Sequence, residues 1–216
     1  MNCLILYTIQ SRFKGIYNSK NPDLVLLRGD YIEHEIEELD SISSLKELKS
    51  KYKVYGVMGN HDYAAFGFAR EHGGGGDAIL ADQIIEFLDA SNSTNSNNDA
   101  GKPITVIRNE KVIVNESLMI IGLDDLWAHL RDKEKAYSNV DGVVYRILLS
   151  HNQEGFEITK ENVDLFLFGH THCGQIRLPG LGSIPKLFGF SGEYDVHVYT
   201  TCGLAPVSRL LSILRL

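Results

Sequence analysis

The chain has 216 residues, 44% of them apolar, which is enough to bury a sizeable core, and it is read as one domain over residues 1–216. A formal net charge of -7 and a pI near 5.6 argue against an electrostatic grip on nucleic acid or on an anionic bilayer, since both need clustered Lys and Arg. Cys3, Cys173 and Cys202 are an odd number spread over the whole length, so no disulfide framework is expected and the expected compartment is the reducing cytoplasm.

Along the chain, the opening Met1-Asn2-Cys3-Leu4-Ile5-Leu6 lacks the basic flank and cleavage site of a signal peptide, and no later apolar run approaches membrane-spanning length. Short apolar runs ended by polar residues or glycine read as buried strands at residues 4–7, 24–27, 54–58, 118–121, 146–149 and 165–168. Acidic residues at 33–40 read as solvated surface. Helices are expected at 43–52 and at 77–90, the second behind a capping Asp77 with Ile79, Leu80, Ile84, Ile85 and Leu88 at helical spacing. Strands alternating with helices give an α/β layered fold. Runs at 104–107, 111–115 and 117–121, separated by short turns, add an antiparallel portion. The polar stretch at 91–101 reads as a flexible insertion. The glycine run Gly73-Gly74-Gly75-Gly76 reads as a tolerated loop rather than a flap. The tail at 210–216 has the composition to lie against lipid, although a last strand packed on the core is the expected reading.

Four polar clusters stand directly after apolar runs: Gly29-Asp30, Gly59-Asn60-His61-Asp62, Ser150-His151-Asn152 and Gly169-His170-Thr171-His172. In an open α/β sheet, side chains just beyond the carboxyl ends of strands converge on one crevice, so Asp30, Asn60, His151 and His170 are expected to meet. A carboxylate, an amide oxygen and imidazoles make a mixed oxygen and nitrogen ligand set for a divalent transition ion, Mn, Fe or Zn, softer than a magnesium cage and without the thiolates of a structural zinc site. Any one of these residues alone would be an ordinary structural residue; four in this placement point to a metal.

The order GD, GNHD, an isolated His and GHTH resembles the calcineurin-like metallophosphoesterase superfamily, over nearly the whole chain. The continuation Gly169-His170-Thr171-His172-Cys173-Gly174-Gln175 is similar to the branch holding phosphodiesterases and UDP-diacylglucosamine pyrophosphatase-like proteins. The resemblance implies a four-layer α-β-β-α sandwich of two mixed β-sheets flanked by helices. It implies that Asp30 bridges two ions, that Asn60, His151 and His170 complete the second, and that His172 belongs to the first. It assigns catalysis to His61, held by Asp62 and facing the phosphate. Two ions about 3.5 to 4 Å apart would activate a water as hydroxide and clamp the phosphoryl oxygens for in-line displacement. The implied substrate is a small phosphorylated one carrying a phosphodiester or pyrophosphate bond, such as a lipid-linked or nucleotide diester, with peripheral membrane contact compatible and nucleic acid not expected.

One departure stands at the start. Thr8 and Gln10 occupy the positions where the family's first motif has Asp and His, and their neutral oxygens bind a transition ion far more weakly. One tight and one weak ion are therefore expected, and the alternative is a pseudoenzyme that binds metal or a phosphorylated ligand without turnover. A third reading is that residues 1–10 are not the natural first strand. His34, His72, His129 and His197 are not expected to substitute as ligands, and Cys173 is expected to be a small packed residue. Asn152 and Gln153 stand where they could hold substrate oxygens.

Overall fold

The computed structural model describes residues 3–6, 18–19, 21–33, 35–65, 76–90, 104–138, 145–153, 163–170, 177–178, 182–183 and 199–200. Thr8, Gln10, His34, His72, His172, Cys173, His197, the 91–101 insertion and the 210–216 tail lie outside them.

Two sheets form the centre. The first has the order β1 (Cys3–Leu6), β2 (Leu24–Arg28), β3 (Val54–Val57), β4 (Ile104–Val106), with every pairing parallel. The second joins β5 (Glu110–Asn115), β6 (Leu118–Gly122), β7 (Tyr145–Leu149), β8 (Leu165–Phe168) and, after β9 (Arg177–Leu178) and β10 (Gly182–Ser183) pair with each other, β11 (Tyr199–Thr200). It is mixed, because β5 runs antiparallel to β6 while β6, β7, β8 and β11 are parallel.

Three apolar clusters define the layers. Leu24, Leu26, Tyr55 and Val57 of the first sheet meet Ile120, Ile147, Leu149 and Leu167 of the second, so the sheets pack face to face. The alternate residues Val25, Leu27 and Val54 face outward, against Leu80, Ala81, Ile84 and Leu88 of helix α1 (Ala78–Asp89) and Ile42 and Leu45 of a 3-10 helix (Ile36–Glu47). On the far side Met119, Ile121, Leu148 and Phe168 pack on Ala136 of helix α2 (Lys133–Tyr137). Helix, sheet, sheet, helix is the expected four-layer sandwich. β2, β3 and β6 are buried along their whole length, as strands covered on both faces must be.

Local chemistry sets the element ends. The Asp77 carboxylate accepts the Ile79 and Leu80 N–H groups at 2.9 and 3.0 Å, capping α1 as its sequence predicts. The helix expected at 43–52 is instead the 3-10 segment ending at Glu47. Beyond it, Lys51 and Tyr52 donate their N–H groups to the carbonyls of Pro22 and Asp23, so tertiary pairing pulls the chain out of helix towards β3. The acidic stretch opens this segment: the Glu38 carboxylate accepts from the Glu33 and Glu35 N–H groups, while Ile36 and Leu39 lean on the core. Of the runs at 104–107, 111–115 and 117–121, only those forming β5 and β6 pair antiparallel, since β4 pairs with β3 in parallel and Ile107 N–H donates to the Gly56 carbonyl at 2.7 Å.

Candidate functional site

The polar clusters meet beyond the carboxyl ends of β2, β3, β7 and β8. Gly29 and Asp30 turn sharply after β2, with φ of 77° and 53°. A Cβ on Gly29 would collide with the Gly59 backbone, and one on Gly59 would lie 2.6 Å from Asp30 N and 2.9 Å from His151 Nδ1. Only glycine lets the two loops touch. Asp62 locks them together. Its carboxylate accepts four backbone N–H groups, from Asp30 (2.9 Å), Tyr31 (2.6 Å), Ile32 (3.3 Å) and Gly59 (2.8 Å). Burial first, and the Asp30 charge second, push the Asp62 carboxyl up to about 8, against the pull of the Gly59 and Ile32 N–H groups.

His151, fully buried, donates its Nδ1 proton to the Arg28 carbonyl at 2.7 Å, which turns Nε2 towards Asp30 Oδ2 and His170 Nδ1, each 3.2 Å away. Burial alone would lower the His151 pKa, but the Asp30 carboxylate raises it to about 9. Burial alone would likewise raise Asp30; His151, with His61 and His170, holds it far below the carboxylate range instead. Asn60 is 1% exposed, and its Nδ2 donates to the Ala65 carbonyl at 3.3 Å. Its Oδ1 is buried without a hydrogen-bond partner among the described residues.

Among the described residues no group of three or more His, Cys, Asp or Glu side chains closes round a cation by itself. The donors nevertheless fit a transition ion. A spacing of 3.2 Å from His151 Nε2 to Asp30 and to His170 is close to the roughly 3 Å between neighbouring ligands when each bond is about 2.1 Å. The orphaned Asn60 oxygen offers the neutral acceptor that such an ion wants.

The structure thus brings Asp30, Asn60, His61, Asp62, His151 and His170 together. One pairing expected from sequence is different: His61 is held by a main-chain oxygen, its Nδ1 donating to the Glu33 carbonyl at 2.7 Å, while the Asp62 carboxylate is spent on backbone N–H groups. Both Asp62 oxygens are already saturated, which is the physical reason. Asn152 is also different. It is fully buried and its Oδ1 accepts the Leu126 N–H at 2.8 Å, so it braces a loop rather than facing a substrate, and Gln153 is 4% exposed. His129 stands exposed on that loop.

Sequence reading passed over that loop, residues 124–132. Asp124 binds Tyr63 Oη at 2.6 Å and Arg108 Nε at 2.7 Å, tying the second sheet to the Gly59-to-Tyr63 turn. Trp127 sets its ring 4.3 Å from that of His170. The available signal was Asp124-Asp125 standing shortly after the apolar run of β6, the same position as the other clusters.

A fold of two facing sheets whose strand ends gather Asp, Asn and His donors defines a class, and comparison confirms it: the chain belongs to the calcineurin-like phosphoesterase family, whose model matches residues 5–174. Among its relatives, an uncharacterized metallophosphoesterase of Helicobacter pylori is 32% identical over 74% of this chain and 38% of its own length. Phosphodiesterase YaeI of Escherichia coli is 28% identical over 88% of this chain and 66% of its own. UDP-2,3-diacylglucosamine pyrophosphatase LpxG of Chlamydia muridarum is 24% identical over 75% of this chain and 57% of its own. The chain therefore spans 38% to 66% of the length of these relatives. Among the described residues no helix is long and apolar enough to cross a membrane.

Proposed function

We propose that this chain is a metal-dependent phosphoesterase that hydrolyses a phosphodiester or pyrophosphate bond in a small phosphorylated substrate, acting as one domain in the cytoplasm. The observation that carries the proposal is Asn60 Oδ1, buried without a hydrogen-bond partner among the described residues and one residue before His61, whose N–H donates to Asp30 Oδ1, while His151 Nε2 lies 3.2 Å from both Asp30 and His170. The family supports phosphoester chemistry, and the relatives named as a phosphodiesterase and a pyrophosphatase support those two bonds.

Asp30, Asn60, His151 and His170 would hold a divalent Mn, Fe or Zn ion, and His172 would serve a second. Bound there, such an ion supplies Lewis-acid polarisation of a phosphoryl oxygen and a more acidic water. The chain's own groups do the rest. Asp30 supplies the negative charge that offsets the cation. His151 presents Nε2 because the Arg28 carbonyl keeps the proton on Nδ1. His61, with Nδ1–H spent on the Glu33 carbonyl, presents Nε2 to a substrate oxygen and, when protonated there, hands it a proton as the ester bond breaks. Asp62 fixes the loop geometry rather than the His61 ring. Thr8 and Gln10 make the two ions unequal, one tight and one weak.

The test is turnover of bis(p-nitrophenyl) phosphate with added Mn(II). Release of nitrophenol that disappears in Asp30→Asn and falls at least 100-fold in His61→Ala supports the reading. A wild-type chain that binds Mn(II) without turnover is a binding protein instead, and one that binds no Mn(II) removes the metal reading altogether.

A further inference from the structure

The geometry points to Trp127 as the positioning residue that sets the His170 ring for cation binding. This inference rests on the metal reading above. His170 follows β8 with φ of 66°, in the left-handed region that residues other than glycine adopt uncommonly. Its ring makes edge contacts with two others: the Trp127 ring lies 4.3 Å away at 77°, and the His151 ring 5.1 Å away at 72°. With His170 Nδ1 only 3.2 Å from His151 Nε2, a small rotation of the ring would carry Nδ1 out of ligand range, and the indole stands in the way of that rotation.

A wall restrains a ligand only if it cannot move. Trp127 is half-buried, and the residues on both sides of it are tethered through their backbone: Leu126 N–H donates to Asn152 Oδ1 at 2.8 Å, Ala128 N–H to Asp125 Oδ1 at 2.7 Å. Asn152 is the immediate neighbour of His151 in sequence, so the same turn that presents one imidazole also holds the residue that positions the other. The loop's entry and exit are pinned as well, with Asp124 N–H and Asp132 N–H both donating to Asn109 Oδ1, at 3.0 and 2.9 Å. A loop whose task were only to connect β6 to α2 would not require this bracing around its one large aromatic residue.

The experiment measures Mn(II) affinity by calorimetry on the full chain in wild type, Trp127→Phe, Trp127→Ala and His170→Ala, with the thermal midpoint of each metal-free protein. Expected is a loss of about tenfold in Trp127→Ala, approaching the His170→Ala value, with Trp127→Phe within about threefold of wild type because an aromatic edge remains. Trp127 is the chain's sole tryptophan, so its emission provides a second signal: Co(II) quenches it in wild type and fails to do so in His170→Ala. Wild-type Mn(II) affinity in Trp127→Ala overturns the inference alone, as does an equal loss in Trp127→Phe and Trp127→Ala, which marks mere packing. Should Trp127→Ala not fold, Trp127→Leu, equally apolar but without an aromatic edge, takes its place under the same criteria. A wild-type chain that binds no Mn(II) overturns the metal reading and this inference with it.

Discussion

Asp62 shows how much one side chain can organise. Two oxygens receive four main-chain N–H groups from two loops that are far apart in sequence, so the residue acts as a clasp at the centre of the site. Replacing it by Asn puts an amine where an acceptor is needed and leaves buried N–H groups unmet; Asp62→Asn is expected to lose about 3 kcal/mol in urea unfolding. A second consequence at this scale is a pH slope. His151 is raised from its ordinary 6.5 to about 9 in the folded chain, so its contribution is complete below 6.5 and is lost as pH rises through 9. Asp30, held low by its histidine neighbours, loses its contribution only in strong acid. In the presence of a chelator, stability measured by denaturant should therefore fall between pH 6.5 and 9, by about 1 kcal/mol per pH unit for each proton involved. Saturating Mn(II) should flatten the slope, because a ligated His151 has no Nε2 proton to lose.

Among the elements, α1 is the one whose construction is simplest to test. Asp77→Ala removes the acceptor for the Ile79 and Leu80 N–H groups, and a cost of about 1 kcal/mol is expected in thermal unfolding with Mn(II) affinity unchanged. That helix was legible because its cap and its spacing are local properties, and the central strands were legible because burial on both faces leaves uninterrupted apolar runs. The 3-10 segment was not legible. Its end depends on Lys51 and Tyr52 finding the carbonyls of Pro22 and Asp23, a pairing that periodicity does not encode. Nor was the allegiance of β4: residues 104–107 and 111–115 read equally well as a hairpin, and Ile104 in one core with Ile107 in the other decides the matter. The site divides in the same way. The clusters after strands announced Asp30, Asn60, His151 and His170, but the main-chain partner of His61 and the Trp127 contact come from loops whose approach only tertiary structure fixes.

For the molecule as a whole, the contact between the two sheets adds stability at a distance from the site. Leu26 lies in the contact between the sheets with no exposure, and Leu26→Ala is expected to cost about 3 kcal/mol in urea unfolding while leaving Mn(II) affinity within twofold. Gly59→Ala should do the reverse of what its size implies, abolishing measurable Mn(II) binding by calorimetry, since the added methyl group occupies the ground between Asp30 and His151. The two imidazoles best placed for chemistry, His61 and His151, are both steered by peptide oxygens, those of Glu33 and Arg28. A peptide oxygen survives any exchange of the side chain attached beside it. Lineages descending from this chain can thus vary positions 28 and 33 and still inherit the same tautomer at both rings, so long as the path of the backbone is kept.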